Sequence, residues 1–288
     1  MTRIIQAVGI IAFVLAAANL TALEIGAHGT LGTLDFARDR DSTASSLPGD
    51  TYLWGIGVFG TQAISEDLAI DIEFDSDPIL RNIGSTLLTY RGPFFSIRFG
   101  PFFGILNAPG TIVQSGLSTT VHLFVPGIVI LGLRSDTSLA SRLVAPGDYI
   151  QEQSELSLGV YVPNAIPTLY ARTKRYTWKT ATGEAVDTLH AYGLRTDVFE
   201  KNVPYRVVLD FAYQDASRTF HDAQPSTHRH GSLVLGKKVV LDVLDPLRLL
   251  VDLESSIYTF GLDELLGETS RDRYLFRLRV GASYRIDL

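Results

Sequence analysis

The chain has 288 residues, a formal net charge of −6 and no cysteine. The missing thiols exclude a disulfide framework and a lipid-anchored N-terminus. Its basic residues are not clustered, so nothing points to nucleic acid.

Met1 to Arg3 is short and positive, and Ile4 to Ala18 is almost unbroken in apolar and small residues. That is the layout of a secretory signal peptide, cleaved between Ala18 and Ala22, with an apolar run too short for a spanning helix. Residues 1–22 are therefore read as the signal and 23–288 as a single domain. After Ala22 no stretch reads as a helical membrane span, yet the mean hydropathy is +0.17. Strands with an apolar residue at every second position reconcile the two facts.

The first strand, Leu23 to Leu34, sets Leu23, Ile25, Ala27 and Leu31 against Glu24, His28 and Thr30. Asp35 to Asp50 is charged, Ser-rich and carries Pro48 and Gly49, a long loop. The second strand, Thr51 to Thr61, turns at Ser65 to Asp67 into the third, where Ile70, Ile72 and Phe74 alternate with Asp71, Glu73 and Asp75. After a medium loop at Ser76 to Asn82 comes a fourth strand, Ile83 to Tyr90. The fifth, Phe94 to Leu106, puts Phe95, Ile97 and Phe99 on one parity and Phe102 on the other. The change falls at Gly100 and Pro101, which predicts a bulge, a kink or an early strand end.

The sixth strand ends at Val125 and the seventh, Ile128 to Arg134, leads into a long loop from Ser135 to Ile150. An eighth strand with Leu156, Leu158 and Val160 outward turns at Pro163 to Pro167. The ninth and tenth, Thr168 to Thr180 and Val186 to Phe199, have no readable phase. In the eleventh, Tyr205, Val207, Leu209, Phe211 and Tyr213 alternate with Arg206, Asp210 and Gln214. A long polar loop, Asp215 to Gly231, precedes the twelfth strand, Ser232 to Leu244, and the thirteenth, Leu247 to Phe260.

The last strand, RYLFRLRVGASYRIDL from Arg273 to Leu288, has apolar or aromatic residues at every even position. With the signal-like N-terminus it resembles bacterial outer-membrane β-barrel proteins, whose final strand is an alternating, aromatic-containing recognition strand. Leu288 stands where Phe or Trp is usual in that group. Every second connection is tight and the long ones all fall in the other set, the arrangement of short periplasmic turns and longer outer loops. The expected fold is all-β: a transmembrane antiparallel up-and-down barrel of about 14 strands, with 12 as the alternative. Trp54, Tyr52, Tyr205, Tyr213, Tyr274 and Tyr284 read as interfacial girdle residues.

The resemblance implies an outer-membrane location, both termini periplasmic, and outer-membrane lipids and the barrel assembly machinery as partners. The function expected is porin-like passage of small polar solutes. A non-conducting barrel displaying surface loops is the alternative, and an outer-membrane hydrolase a weaker one. The residues expected to line the lumen are Asp71, Glu73, Asp210, Asp252, Glu254, Arg277, Arg279 and Arg285. Asp252 and Glu254 should pair with Arg277 and Arg279, and barrel closure should bring Glu24 and His28 to the same arginines. Those charges could equally line a solute path or seal a filled interior. His228 and His230, near His221 and Asp222, form the nearest thing to a metal set, but a loop fixes no ligand geometry. His122 beside Ser118 or Thr120 is the nearest thing to a catalytic pair. No catalytic residue, cofactor or metal is assigned.

Overall fold

The computed structural model describes residues 22–34, 53–77, 81–108, 110–139, 143–146, 148–200, 203–244, 246–261 and 275–287. These contain fourteen strands: β1 Ala22–Leu34, β2 Leu53–Ala63, β3 Leu68–Asp77, β4 Arg81–Arg91, β5 Phe95–Ala108, β6 Gly110–Val125 and β7 Val129–Ser138 lead into β8 Tyr149–Val160, β9 Ala165–Lys179, β10 Glu184–Phe199, β11 Tyr205–His221, β12 Ser226–Leu244, β13 Leu247–Gly261 and β14 Leu275–Asp287. Each strand pairs antiparallel with its sequence neighbours, and β14 pairs with β1 to close the barrel. Residues 1–21 of the expected signal segment lie outside the described residues, and Ala22, its last residue, begins β1.

Alternation decides which way each strand faces. In β1, Ile25 and Leu31 are 52% and 60% exposed, whereas His28 and Thr30 are 7% and 6% exposed. The apolar set therefore faces outward, and the polar set faces the lumen. The outward face also carries Val58, Leu88, Leu156, Leu194, Phe211 and Val251, all exposed. Tyr205 and Tyr284 lie among them, about half exposed. Tyr52, Tyr274 and the side chain of Trp54 fall outside the described residues.

Both described ends of the chain and the connections 64–67, 92–94, 126–128, 161–164, 200–204 and 245–246 lie at one end of the barrel, the turn end. The opposite end, the loop end, carries the connections 35–52, 139–148 and 262–274, but also short ones at 78–80, 109, 180–183 and 222–225.

Several boundaries differ from the sequence reading. Asp215 to Gly231 is not a long loop: β11 runs on to His221 and β12 starts at Ser226, with Ala216↔His230 and Thr219↔Thr227 in register. In the same way β7 continues to Ser138, β8 begins at Tyr149, and Ser76 belongs to β3. The reason is physical: apolar alternation reports contact with lipid, and a ladder that continues past the lipid is polar on both faces. β11 and β12 have 17 and 19 residues, whereas spanning needs only about 9–11.

β5 contains no bulge at Pro101. Ser85↔Phe102 and Leu88↔Phe99 keep one register, and the ladder to β4 lapses only opposite Gly100 and Pro101. Pro101 takes an outward position and Phe102 an inward one, buried against the bare face of Gly116. Phe102 is a lumen aromatic in phase with its strand. Pro167, read as part of a turn, lies inside β9, because the turn closes at Val162↔Ala165 with Asn164 at φ 60°.

The lumen as candidate functional site

Register assigns the lumen face of every strand, including β9 and β10, whose phase the sequence does not reveal. β11 presents its even positions inward, so Asp210↔Arg195 and Arg218↔Asp187 turn the odd positions of β10 inward. Those in turn bring Tyr176 and Tyr170 of β9 to the lumen, opposite Asp187 and Gly193. All eight candidate residues occupy lumen-facing positions and fall in the first two of three groups of lumen side chains.

The first group is the closing seam. Glu254 of β13 and Arg277 of β14 are register partners joined at 3.1 Å. Arg279 faces Asp252 in register, yet its guanidinium goes elsewhere, donating to both oxygens of Asp75 on β3 at 2.9 and 2.8 Å. His28 lies 3.2 Å from the same carboxylate. On β1 and β2 the rings lie flat over glycine: a Cβ on Gly57 would collide with the His28 ring, and one on Gly26 with the Phe59 ring. Glu24 accepts from Ser283 at 2.7 Å and meets Arg248 at 3.5 Å. Arg285 stands opposite Glu24 in register. Thus Glu24 meets Arg248 rather than Arg277 or Arg279, His28 shares Asp75 with Arg279, and Arg279 pairs with Asp75 where Asp252 was expected.

The second group is the middle of the lumen. Asp71 is a hub: it accepts from Thr61 of β2 at 2.7 Å, from Thr89 of β4, and from Arg98 of β5 at 3.1 Å. Arg98 also meets Glu73 at 3.4 Å. On the opposite wall, Arg134 donates to Asp136, which also accepts from Ser118. Arg195 bridges Glu155 and Asp210 at 3.5 and 3.4 Å, and Tyr170 donates to Asp210 at 2.7 Å. Arg195 and Arg172 both stand over the Tyr170 ring, at 4.7 and 5.6 Å. Despite this pairing, the Arg98, Arg195, Glu73 and Arg134 side chains remain 33%, 33%, 42% and 44% exposed. They point away from lipid, so that exposure is to the lumen.

The third group lies toward the loop end and is dry. Tyr149, Tyr176 and Trp178 form a row of rings with centroids 5.3 and 5.1 Å apart. Leu189, Ala185 and Ala216 complete the cluster, with Ile83 and Phe220 packed on it. Asp187 and Arg218 are joined by two hydrogen bonds of 2.6 and 2.8 Å, and Asp187 is 0% exposed.

Asp136, Glu155, Asp187, Arg195 and Arg218 were missed by the sequence reading. For Arg218 a signal existed, since the even parity of Arg206, Asp210 and Gln214 continues straight to it. The catalytic pairing of His122 with Ser118 does not form: Ser118 is bound to Asp136, and His122 Nδ1 lies 3.4 Å from Ser96 Oγ. The side chains of His228 and His230 lie outside the described residues. Asp222 accepts from the Gln224 amide at 2.9 Å as an ordinary turn residue.

A closed antiparallel barrel of fourteen strands, apolar outside and charged within, defines an outer-membrane β-barrel protein. The fold is similar to an outer membrane channel from Pseudomonas putida F1, with a TM-score of 0.53 at 10% identity over 94% of this chain and 97% of that one. It also aligns with the anion-selective porin from Comamonas acidovorans, TM-score 0.39 at 11% identity over 93% and 99%. OmpT of Vibrio cholerae, as a loop-deletion mutant, aligns with TM-score 0.41 at 10% identity over 92% and 100%. The first likeness concerns the fold alone, and the other two carry no argument. No family model matches the sequence, and no curated protein does.

Proposed function

We propose that the protein is a porin-like channel through which small polar solutes diffuse passively across the outer membrane. One observation carries this reading: in the middle of the lumen, charges such as Arg98, Glu73 and Arg134 are one-third to nearly one-half exposed. A packed, solute-free core would leave such groups no water, and an ion in a dry interior is costly. Fourteen strands lie between the eight that only just accommodate side chains and the sixteen that leave an aqueous channel. A narrow path lined by both signs of charge suits small polar solutes over large ones.

In this reading both termini and the short turns are periplasmic, and the connections 35–52, 139–148 and 262–274 face outward from the cell. A signal peptide at residues 1–22 and delivery through the barrel assembly machinery follow from it. The test is conductance of the refolded protein in a planar bilayer. Discrete steps are expected, and a preparation that is folded by heat-modifiability yet never conducts would sink the proposal. Orientation is checked with single cysteines in this cysteine-free chain. One at Thr182 should react with an impermeant maleimide on whole cells, and one at Gly92 only after permeabilisation.

A further inference from the structure

We propose that the loop-end tips of β8 to β11 form a gate, a cap of strand ends folded inward over the lumen that must lift for solute to pass. The inference rests on the channel reading and concerns how that same lumen is regulated.

Geometry requires the inward fold. With strands about 4.8 Å apart and tilted by about 40°, a circular fourteen-strand barrel has a radius of about 14 Å. Strands three apart, such as β5 and β8, then stand about 17 Å from each other, and β4 and β8 about 22 Å. Yet the Gln151 side chain of β8 rests directly on Gly104 of β5, where a Cβ would collide with its amide. Ile83 of β4 packs on the cluster formed by Tyr149, Tyr176, Trp178 and their neighbours on β8 to β11. The Tyr149 hydroxyl accepts from the backbone N–H of Gln114, two strands away on β6, at 3.1 Å. The Gln151–Gly104 contact thus spans a gap that one side chain cannot cross in a round barrel, and Ile83 meets the cluster across a still wider one. The wall has bent in, and Gly104 is the bare seat that admits Gln151.

The cap is also built to move. β9, β10 and β11 have 15, 16 and 17 residues where about 9–11 would span the hydrocarbon. Their loop-end tips stand clear of lipid and can shift without dragging an apolar face through water. Closure leaves an unmet demand, because Gln151 is 1% exposed with neither its amide oxygen nor its nitrogen bonded. Burial of an unbonded amide disfavours the closed state, and lifting the cap returns that amide to water. Against this, the ring row and the buried Asp187–Arg218 pair keep the tips together as one unit.

The experiment uses the full mature barrel with Gly104→Cys and Gln151→Cys, joined by a short reducible bis-thiol linker, in planar bilayers. Linking is expected to abolish conducting steps and reductant to restore them. Gly104→Leu, which removes the seat of Gln151, is expected to raise the fraction of time spent open. A linked barrel that conducts like its reduced form would overturn the gate and leave the channel standing. If the wild type, the reduced double variant and folded Gly104→Leu all fail to conduct, the channel reading itself falls and the gate with it. Heat-modifiability of each variant shows that the barrel tested is folded.

Discussion

Arg279 on β14 and Asp75 on β3 are joined across two intervening strands, with both carboxylate oxygens accepting from one guanidinium nitrogen at 2.9 and 2.8 Å. The contact ties the last strand past the first to the third, so it can form only once the barrel has closed. Both side chains are largely shielded, 17% and 29% exposed, so the pair is worth more than an open surface bridge. Asp75→Asn or Arg279→Met is expected to destabilise the folded barrel by about 2 kcal/mol. The double variant should cost less than the sum of the two. Urea unfolding from lipid vesicles reads both quantities, and strict additivity would show that the pair is not coupled.

The floor beneath that contact makes a second, steric claim. Gly57 has no room for a side chain because the His28 ring occupies the place of its Cβ. Gly57→Val should cost about 1–3 kcal/mol from overpacking. His28→Ala in the same chain should recover much of that loss, even though it removes the contact with Asp75. Refolding yield, followed by the heat-dependent gel shift, provides the comparison. Failure of His28→Ala to rescue would mean that the ring is not what excludes the side chain.

Leu194 of β10 lies outward between Leu169 and Phe211, all three exposed. If this face contacts hydrocarbon, Leu194→Arg should destabilise the barrel by about 2–4 kcal/mol, whereas an arginine at Tyr205, near the turn end, should cost only about 0–1 kcal/mol. Equal penalties at the two positions would contradict a depth-graded apolar environment.

Ion preference should follow exposure rather than charge count. Arg134 and Arg195 are 44% and 33% exposed, whereas Arg277 and Arg279 are 19% and 17% exposed and held by Glu254 and Asp75. Arg134→Gln with Arg195→Gln should shift the reversal potential toward cation preference more than Arg277→Gln with Arg279→Gln. Measurement in a salt gradient decides it, and the reverse ranking would place the solute path along the seam.

Among the lumen charges, those on strands with lipid-driven alternation were readable. Asp71, Glu73, Asp210, Asp252, Glu254, Arg277, Arg279 and Arg285 all lie opposite clean apolar stripes, so their parity follows from their neighbours. Glu155 and Asp136 sit where that stripe fades into polar strand, and Asp187, Arg172 and Arg195 sit on β9 and β10, which carry polar residues on both parities. There the inward face emerges only from pairing with β11. Phe102 misled for the opposite reason: an aromatic reads as lipid-facing, but the bare face of Gly116 makes room for it inside.

By itself, the sequence determined the up-and-down barrel, a strand number of about 14 with 12 left open, and which residues meet lipid in the strands of clean alternation, because a period of two across a hydrocarbon layer is written in those segments. Only the tertiary structure decided who pairs with whom across the lumen. Arg279 binds Asp75 rather than its register partner Asp252, and Gln151 reaches Gly104 because the loop-end wall bends in. Such contacts join strands far apart in sequence and depend on how a closed wall curves, a property that no local pattern encodes.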